Sequence, residues 1–325
     1  MRIAIQMERH GPPEVLAPVE LPDHAPAPDE VVVRSVVSGV NRADLFIRSG
    51  EWQVMSGVFP YVPGLEVAGV VEQVGANVTS VKPGDRVITM MQRLGGVHGV
   101  RPGGYQSHVC VHAGVLAPIP DGLDTELAGT FGLPAVTAEQ ALRALSVQPG
   151  DRVLVQGGSS AVGTMAIQLI RALGGVPVAT GTSPAKFELI RQCGAKQVVD
   201  TRSPDWAKQV DPVHGVLDTV GKATFKESVS LLRPGGKLVF VGGTSGGEVT
   251  FSAWDLMNPV TLTGYSSETL TRDALSDSIQ QIAHLAAKGA LAVHQALRVP
   301  LKEAARAHRE LESGQVAGRV VLTAG

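Results

Sequence analysis

Residues 151–175, DRVLVQGGSSAVGTMAIQLIRALGG, carry the clearest capacity for binding chemistry in the chain. Gly157-Gly158-Ser159-Ser160-Ala161 joins a short β-branched run, Val153 to Val155, to a segment with helical periodicity. In that segment Val162, Met165, Ala166, Leu169, Ile170 and Leu173 recur on one face. The run reads as a strand buried on both sides, and Gly174-Gly175 read as a helix stop. Val176 to Thr180 then opens a second strand, which completes a βαβ unit. The first N–H groups of a helix lack internal partners and carry partial positive charge. A turn without bulky side chains lets a pyrophosphate approach them. A glycine-rich turn alone is weak evidence, but this one is flanked by a legible strand and helix, so it predicts dinucleotide binding. The fingerprint G-x-G-x-x-G is imperfect: serines and Ala161 stand where glycines are usual.

The second strand bears on which dinucleotide. Sites that prefer NAD place a carboxylate about twenty residues on, at the ribose 2′-OH. This chain has Thr180-Gly181-Thr182-Ser183 there, with Lys186 following. Hydroxyls and an ammonium would hold a 2′-phosphate that a carboxylate would repel. Ser183-Pro184 also reads as the cap of a following helix, with Lys186 a solvated first-turn residue. The two readings are compatible, and NADPH is favoured over NADH.

The whole chain sets the limits. Its 325 residues, 44% hydrophobic, suffice for two domains. Lys+Arg 28 against Asp+Glu 30 gives a net charge of -2, which offers nucleic acid or an anionic membrane no attraction. Cys110 and Cys193 cannot build a disulfide framework or a four-cysteine zinc site. No apolar run is long enough for a bilayer and the N-terminal stretch is not a signal peptide, so a soluble, cytoplasmic protein is expected.

The elements around the βαβ unit divide into two kinds. Arg2–Met7, Glu30–Val40, Leu65–Val74 and Asp85–Met90 read as short strands separated by Pro/Gly turns, which predicts an antiparallel, barrel-like domain. A helical turn, Asn41–Arg48, interrupts them. His98, His108 and His112 invite a metal, with His108, Cys110 and His112 alternating along a probable strand. Alternation is what any strand produces, so an ordinary sheet is the better reading. Met91–Gly104 reads as a loop. Beyond Pro120 the pattern changes to a helix over Thr125–Ala144, divided at Gly132 and Pro134. Strands at Gln197–Val199, Gly215–Asp218 and Lys237–Val241 then alternate with a helix, Thr224–Leu232, and a turn at Arg233–Gly236. Such alternation predicts a doubly wound sheet. The glycine loop Gly242–Gly247 lies beyond a strand's carboxyl end, where it faces the cofactor or forms a surface connection. Helices at Thr271–Lys288 and Pro300–Glu312 precede a last strand, Gly318–Thr323, that returns to the first domain.

Four stretches carry a family resemblance: SGVNRADLFIRSG (Ser38 to Gly50), PGLEVAGVVEQVG (Pro63 to Gly75), PGDRVLVQGGSSAVGTMAIQL (Pro149 to Leu169) and ESGQVAGRVVL (Glu312 to Leu322). Together they resemble the medium-chain dehydrogenase/reductase superfamily and, within it, the zinc-free NADPH-dependent quinone oxidoreductases. The resemblance implies an α/β chain: a Rossmann doubly wound parallel sheet plus a GroES-like β-barrel catalytic domain. It places the catalytic domain in residues 1–124, the cofactor domain in 125–264 and a return to the catalytic domain in 265–325. It also implies a cofactor in the cleft between the domains and a homodimer built through the Rossmann sheets. Zinc-using relatives carry a cysteine where this chain has Asn41 and a histidine where it has Leu65, and neither residue here can replace them as a zinc ligand.

By the same resemblance, Asn41 and Thr137 lie at the nicotinamide as the catalytic donors, while Phe46 and Trp52 line the substrate pocket. Gly158, Ser159, Ser160, Ala161, Val162, Thr180, Gly181, Ser183 and Lys186 match phosphate and adenosine contacts. Val220, Gly242, Gly243, Thr244, Tyr265 and Ser266 match the cofactor groove, and Arg319 is placed toward a phosphate. The chain departs from the branch at Thr201, where a tyrosine often stacks on adenine, and at Ala161, usually glycine. Both departures would weaken the cofactor's hold or relax its 2′-phosphate preference. The implied reaction is hydride transfer to a quinone, with charge on oxygen stabilised by Asn41 and Thr137 and water as the final proton source. Reduction of the C=C bond of an enone and a non-catalytic NADPH sensor are the alternatives; residue chemistry does not separate quinone from enone.

Overall fold

The computed structural model describes residues 1–23, 25–52, 59–92, 94, 102–294 and 296–324. The chain divides into two compact units, each drawn from more than one segment. The first comprises Met1–Leu133, Ser267–Ala287 and Ala296–Gly325; the second comprises Pro134–Ser266 and Lys288–Gln295. The division therefore falls later than residues 124 and 264, and it returns a short piece after residue 287 to the second unit. Nothing in the sequence pattern marks that return.

The first unit begins with β1 (Arg2–Gln6) and β2 (Ala17–Leu21), an antiparallel pair separate from the main sheet. β3 (Glu30–Val40) leads into α1 (Arg42–Ser49), and β4 (Glu66–Val74), β5 (Arg86–Met90), β6 (His108–His112) and β7 (Ala117–Pro118) follow. The valine-dense β3 is the spine of this unit. Its first half pairs with both β6 and β4, and its register against β4 slips at Val32/Val33 and again at Ser35/Val37. Irregularities of that kind bend and twist a strand, which lets a sheet curl on itself. Val31, Val33, Val67, Val71, Val87, Val109 and Val111 fill the interior, at the alternate positions a half-buried strand presents. α2 (Thr125–Leu145) then crosses from the first unit into the second. It breaks at Gly132 (φ 44°, ψ −147°), a conformation suited to glycine, just ahead of Pro134.

The second unit is a six-stranded parallel sheet. β8 (Arg152–Gln156), α3 (Ala161–Ala172), β9 (Val176–Gly181), α4 (Pro184–Gln192) and β10 (Gln197–Asp200) form one half. β11 (Val213–Asp218), α5 (Phe225–Ser230), β12 (Leu232–Phe240) and β13 (Thr261–Gly264) form the other. The order β10-β9-β8-β11-β12-β13 reverses direction of growth between β8 and β11, the doubly wound arrangement that the alternation predicts. Val153, Leu154 and Val155 are almost wholly buried, as expected of the central strand. α3 is more deeply enclosed than its periodicity implies. Gly163 to Ile170 are all buried, whereas Leu173 is 38% exposed and Val162 only half-buried. The helix ends as its glycines require: Gly174 takes φ 80° and the Gly175 N–H closes on Ile170 O at 2.9 Å.

The turn expected at Arg233–Gly236 is absorbed into β12. Leu232 pairs with Val213 and Lys237 with Gly215, so the Pro-Gly-Gly segment loops out as an irregularity within a strand. The helix expected over Thr224–Leu232 is correspondingly shorter, because Leu232 already belongs to that strand.

The chain then adds α6 (Arg272–Ala287), β14 (Ala296–Pro300), α7 (Ala304–Glu312) and β15 (Arg319–Thr323). β14 is a strand the sequence pattern does not reveal, and it runs parallel to β15. β15 pairs antiparallel with Val37–Val40 of β3, so the last strand does return to the first sheet. No helix among the described residues is long and apolar enough to cross a membrane.

Candidate active and cofactor site

In the second unit, the strand ends converge on the turn after β8. Gly157 adopts φ 74°, with its N–H on Thr180 Oγ1 (3.1 Å), and the Gly158 N–H is held by Thr180 O (2.9 Å). A side chain at Gly158 would meet the Ala179 Cβ at 2.8 Å. One at Gly163 would meet backbone, with Gly157 O at 2.3 Å and Gly158 Cα at 2.8 Å. Gly163 thus does the work of the fingerprint's last glycine, packing helix against turn, and the motif reading passed over it. Ser160 caps α3 by accepting the Gly163 N–H at 3.0 Å. The N–H groups of Ala161 and Val162 open the helix without intrahelical acceptors, as an anion site needs.

Thr180 has a different place from the one expected. It is 2% exposed, and its hydroxyl donates to Gln156 Oε1 at 2.7 Å while receiving the Gly157 N–H. Gln156 Nε2 in turn donates to Ser228 Oγ at 2.8 Å. Thr180 therefore shapes the turn from behind, with its hydroxyl engaged by Gln156 and the Gly157 N–H. Gln156, buried at the strand end, is the residue this arrangement adds.

The neighbouring strand end carries hydroxyls and an ammonium and no carboxylate. Ser183 stands at the N-cap position of α4 with Pro184 after it, yet its hydroxyl makes no capping bond. That hydroxyl and the half-buried Lys186 remain for a ligand. Thr201, which follows β10, is tied to Gly181 O through its N–H at 3.2 Å. On the far side of the switch point, Asp218 Oδ1 receives the N–H groups of Val220 and Gly221 at 2.8 and 2.9 Å. The Gly242–Gly247 loop is not a loose connection: Thr244 bonds Thr219 O through N–H and hydroxyl, and Ser245 bonds Val220 O likewise. Tyr265 follows β13, its N–H on Phe240 O at 2.9 Å, with the exposed Ser266 beside it. Its hydroxyl is buried without a hydrogen-bond partner among the described residues. Burial, and then the Glu139 charge, push that phenol up to about 12, so it stays a donor. Thr137 is nearly buried on α2.

In the first unit a compact polar cluster surrounds Asn41. Glu66 and Arg319 are 1% and 3% exposed, and Arg319 Nη2 lies 2.5 Å from Glu66 Oε1. The same carboxylate oxygen accepts Asn41 Nδ2 at 2.7 Å, and Arg319 Nη1 donates to Asn41 Oδ1 at 3.1 Å. Glu66 Oε2 accepts the Leu133 N–H at 2.7 Å, where α2 restarts after its break. Arg319 is completed by Thr130 O (3.2 Å) and Val40 O (3.1 Å). The guanidinium expected near a phosphate is thus spent on Glu66, Asn41 and two carbonyls. Asn41 itself is clamped at both ends of its amide, which leaves one Nδ2 hydrogen to donate elsewhere. Glu66 sits one position after Leu65, within a motif the sequence reading quoted, but nothing in a single glutamate announces that it is buried.

Behind this cluster lies a second layer. Asp44 accepts the Asn41 N–H at 2.8 Å, and Tyr105 meets His308 Nε2 at 3.1 Å. Burial, opposed by the Asn41 hydrogen bond and assisted by Glu66, pushes the Asp44 carboxyl up to about 7. Burial and the Arg48 charge push His308 down to about 3, so its imidazole is neutral. Phe46 and Trp52 lie against each other, with ring centroids 5.1 Å apart and Trp52 45% exposed.

The histidines of the metal reading are used locally. His108 bonds Glu72 at 3.2 Å, Cys110 Sγ donates to Glu30 Oε2 at 3.2 Å, and His112 Nδ1 accepts the Gly114 N–H at 2.9 Å. His98, and residues 93 and 95–101 of the expected loop, lie outside the described residues. Among the described residues no group of three His, Cys, Asp or Glu side chains could hold a metal.

Two family models match the chain: the alcohol dehydrogenase GroES-like domain over residues 27–121 and zinc-binding dehydrogenase over 193–322. Quinone oxidoreductase 1 of Escherichia coli is 31% identical, with 99% of each chain covered. The chain belongs to the quinone oxidoreductases of the medium-chain dehydrogenase/reductase superfamily. Solved members of the superfamily superpose over nearly their whole length. The E. coli quinone oxidoreductase complexed with NADPH gives a TM-score of 0.89 at 30% identity, covering 99% of both chains. That from Pseudomonas syringae gives 0.88 at 30% identity, covering 99% of this chain and all of the other. This member of the superfamily is an oxidoreductase with a Rossmann sheet and a GroES-like barrel.

Proposed function

We propose that the protein reduces quinones with NADPH and without zinc. The observation that carries this is the state of Asn41, which occupies the position of a zinc-binding cysteine in zinc-using relatives. Its side chain is a neutral amide, already engaged at both polar atoms by Glu66 and Arg319. Such an amide, with Leu65 standing where zinc-using relatives have a histidine, offers zinc no ligand. The quinone assignment is supported by the E. coli relative and the cofactor by the NADPH complex among similar structures.

The cofactor fits the residues present. Gly158 and Gly163 have no room for a Cβ, the start of α3 is open to a pyrophosphate, and the end of β9 has hydroxyls and Lys186 but no carboxylate. NADPH, when bound, supplies the hydride. The protein's part is to align a flat acceptor and to receive negative charge as it develops on oxygen. The Phe46–Trp52 pair gives an aromatic surface for the acceptor ring. The remaining Nδ2 hydrogen of Asn41 is the donor we assign to the oxygen, and water delivers the final proton.

The assembly we infer is a homodimer through the free edge of β13. Among the described residues that strand ends the sheet with one side unpaired, and Trp254, Leu256 and Met257 just before it are 80%, 46% and 76% exposed. An unpaired edge beside exposed apolar side chains is the surface a second copy would cover.

The deciding experiment follows loss of reduced-nicotinamide absorbance with quinones and, separately, with enones, in the presence and absence of a chelator. Quinone-dependent oxidation of NADPH that the chelator leaves unchanged is the expected result. Turnover confined to enones would move the assignment to alkene reduction, and loss of activity on chelation would overturn the zinc-free reading. Tight NADPH binding with no acceptor turned over would indicate a sensor.

A further inference from the structure

We infer that Arg202, oriented by Asp200, is the residue that recognises the 2′-phosphate of the dinucleotide. The inference rests on the NADPH reading above and adds to it a residue that motif matching did not select. β9 and β10 run parallel, with Asp200 opposite Gly181 and the Thr201 N–H on Gly181 O at 3.2 Å. Arg202 therefore follows directly on the strand end that adjoins Gly181 to Ser183, where a Rossmann site meets the ribose 2′ position.

The guanidinium is held there in a defined pose. Its Nε lies 3.0 and 3.2 Å from the two Asp200 oxygens, its Nη2 lies 2.6 Å from Oδ2, and the Arg202 N–H reaches Oδ1 at 3.0 Å. Asp200 occupies the Nε–Nη2 edge, so the Nη1 edge of the fork stays available to a second anion. The side chains of Arg202 and Asp200 are 58% and 32% exposed, so a ligand can reach them. Planar, bidentate donation suits a phosphate better than an ammonium does. A fork already oriented loses less freedom on binding than a wandering one. Asp200 also cancels the arginine's charge when no phosphate is present, so the ribose hydroxyl of NADH meets a neutral pair. The expected preference is therefore selective without being absolute.

The test uses the full-length protein and its Arg202→Ala and Asp200→Asn variants. Binding of 2′,5′-ADP and of 5′-AMP to the nucleotide-free protein is compared by calorimetry, together with KM and kcat for NADPH and NADH. Both substitutions lie at an exposed ion pair, which contributes little to stability. Arg202→Ala should raise the dissociation constant for 2′,5′-ADP and KM for NADPH by about tenfold or more. The constants for NADH and 5′-AMP, and kcat, should stay within about twofold. Asp200→Asn should shift the same two constants in the same direction by a smaller factor. An Arg202→Ala protein that still favours 2′,5′-ADP over 5′-AMP as the wild type does would overturn the inference. So would equal losses for NADPH and NADH. If the wild type itself does not distinguish 2′,5′-ADP from 5′-AMP, the NADPH reading fails first.

Discussion

Arg319 and Glu66 form a buried ion pair whose shared oxygen also receives the Asn41 amide, at 2.5 and 2.7 Å. A pair so enclosed holds geometry more than it adds stability, because the desolvation of both charges offsets their attraction. Breaking it is another matter. Arg319→Met would leave Glu66 charged and buried, a loss of about 3–5 kcal/mol. We expect a lower urea midpoint and, in the folded fraction, a fall in kcat that exceeds the change in KM, because the Asn41 amide loses its orientation. Wild-type stability in this variant would contradict the pairing.

Asn41→Ala isolates the donor from its supports, since Glu66 keeps Arg319 and Leu133 as partners. Loss of one donor to a developing oxyanion lowers kcat by about 10²-fold. NADPH affinity and the far-UV circular dichroism spectrum should change little. Unchanged quinone turnover would remove Asn41 from the chemistry.

Gly163→Ala tests the packing of helix on turn. The new methyl would lie 2.3 Å from Gly157 O and 2.8 Å from Gly158 Cα, which are backbone atoms that cannot rotate away. The turn must move, so NADPH binding measured by fluorescence titration should weaken and the melting temperature fall. Gly247→Ala, where a Cβ finds open space, is the control and should bind and melt as the wild type does.

The buried acid and base predict a pH signature. Asp44 is pushed up to about 7 from 3.8, chiefly by burial. Between those values the folded chain keeps a proton that the unfolded chain has released, so this group makes stability fall as pH rises. His308 is pushed down to about 3 from 6.5, so below 6.5 the unfolded chain binds a proton that the folded one refuses. That group makes stability rise with pH. The two slopes oppose each other from about pH 4 to 6.5. Asp44→Asn removes the first and leaves the second, so its melting temperature should climb more steeply with pH over that window. Above pH 7 the variant should be more stable than the wild type, by at most about 4 kcal/mol. Parallel pH profiles for the two proteins would refute the assignment.

What could be read from the sequence was local. Val153 to Val155, the small residues after them and Gly174-Gly175 impose a strand, a turn and a helix end through neighbours alone, and the doubly wound class followed from the alternation of strands and helices. Phe46 and Trp52 were singled out by resemblance as pocket residues, and their ring contact across the end of one helix emerges only from the fold. Contacts that join distant segments were not legible. Glu66 meets Arg319 through the pairing of β15 with β3, and residues 288–295 return to the second unit with no change of composition to mark it. Thr180 and Arg319 were matched to cofactor contacts by residue type. Their hydroxyl and guanidinium are instead turned to Gln156 and Glu66, which only the packing reveals.

The distance along the chain between Glu66 and its guanidinium has a consequence for synthesis. They are 253 residues apart, so during translation the glutamate emerges long before its arginine exists. At about 5–20 residues per second, the wait is roughly 13 to 50 seconds. Over that interval the sheet of the first unit lacks β14 and β15, and the Glu66 carboxylate has no guanidinium to meet. A nascent chain stalled within this stretch would leave Val37–Val40 without their partners in β15, so the last strand completes the sheet and the charge pair in one event.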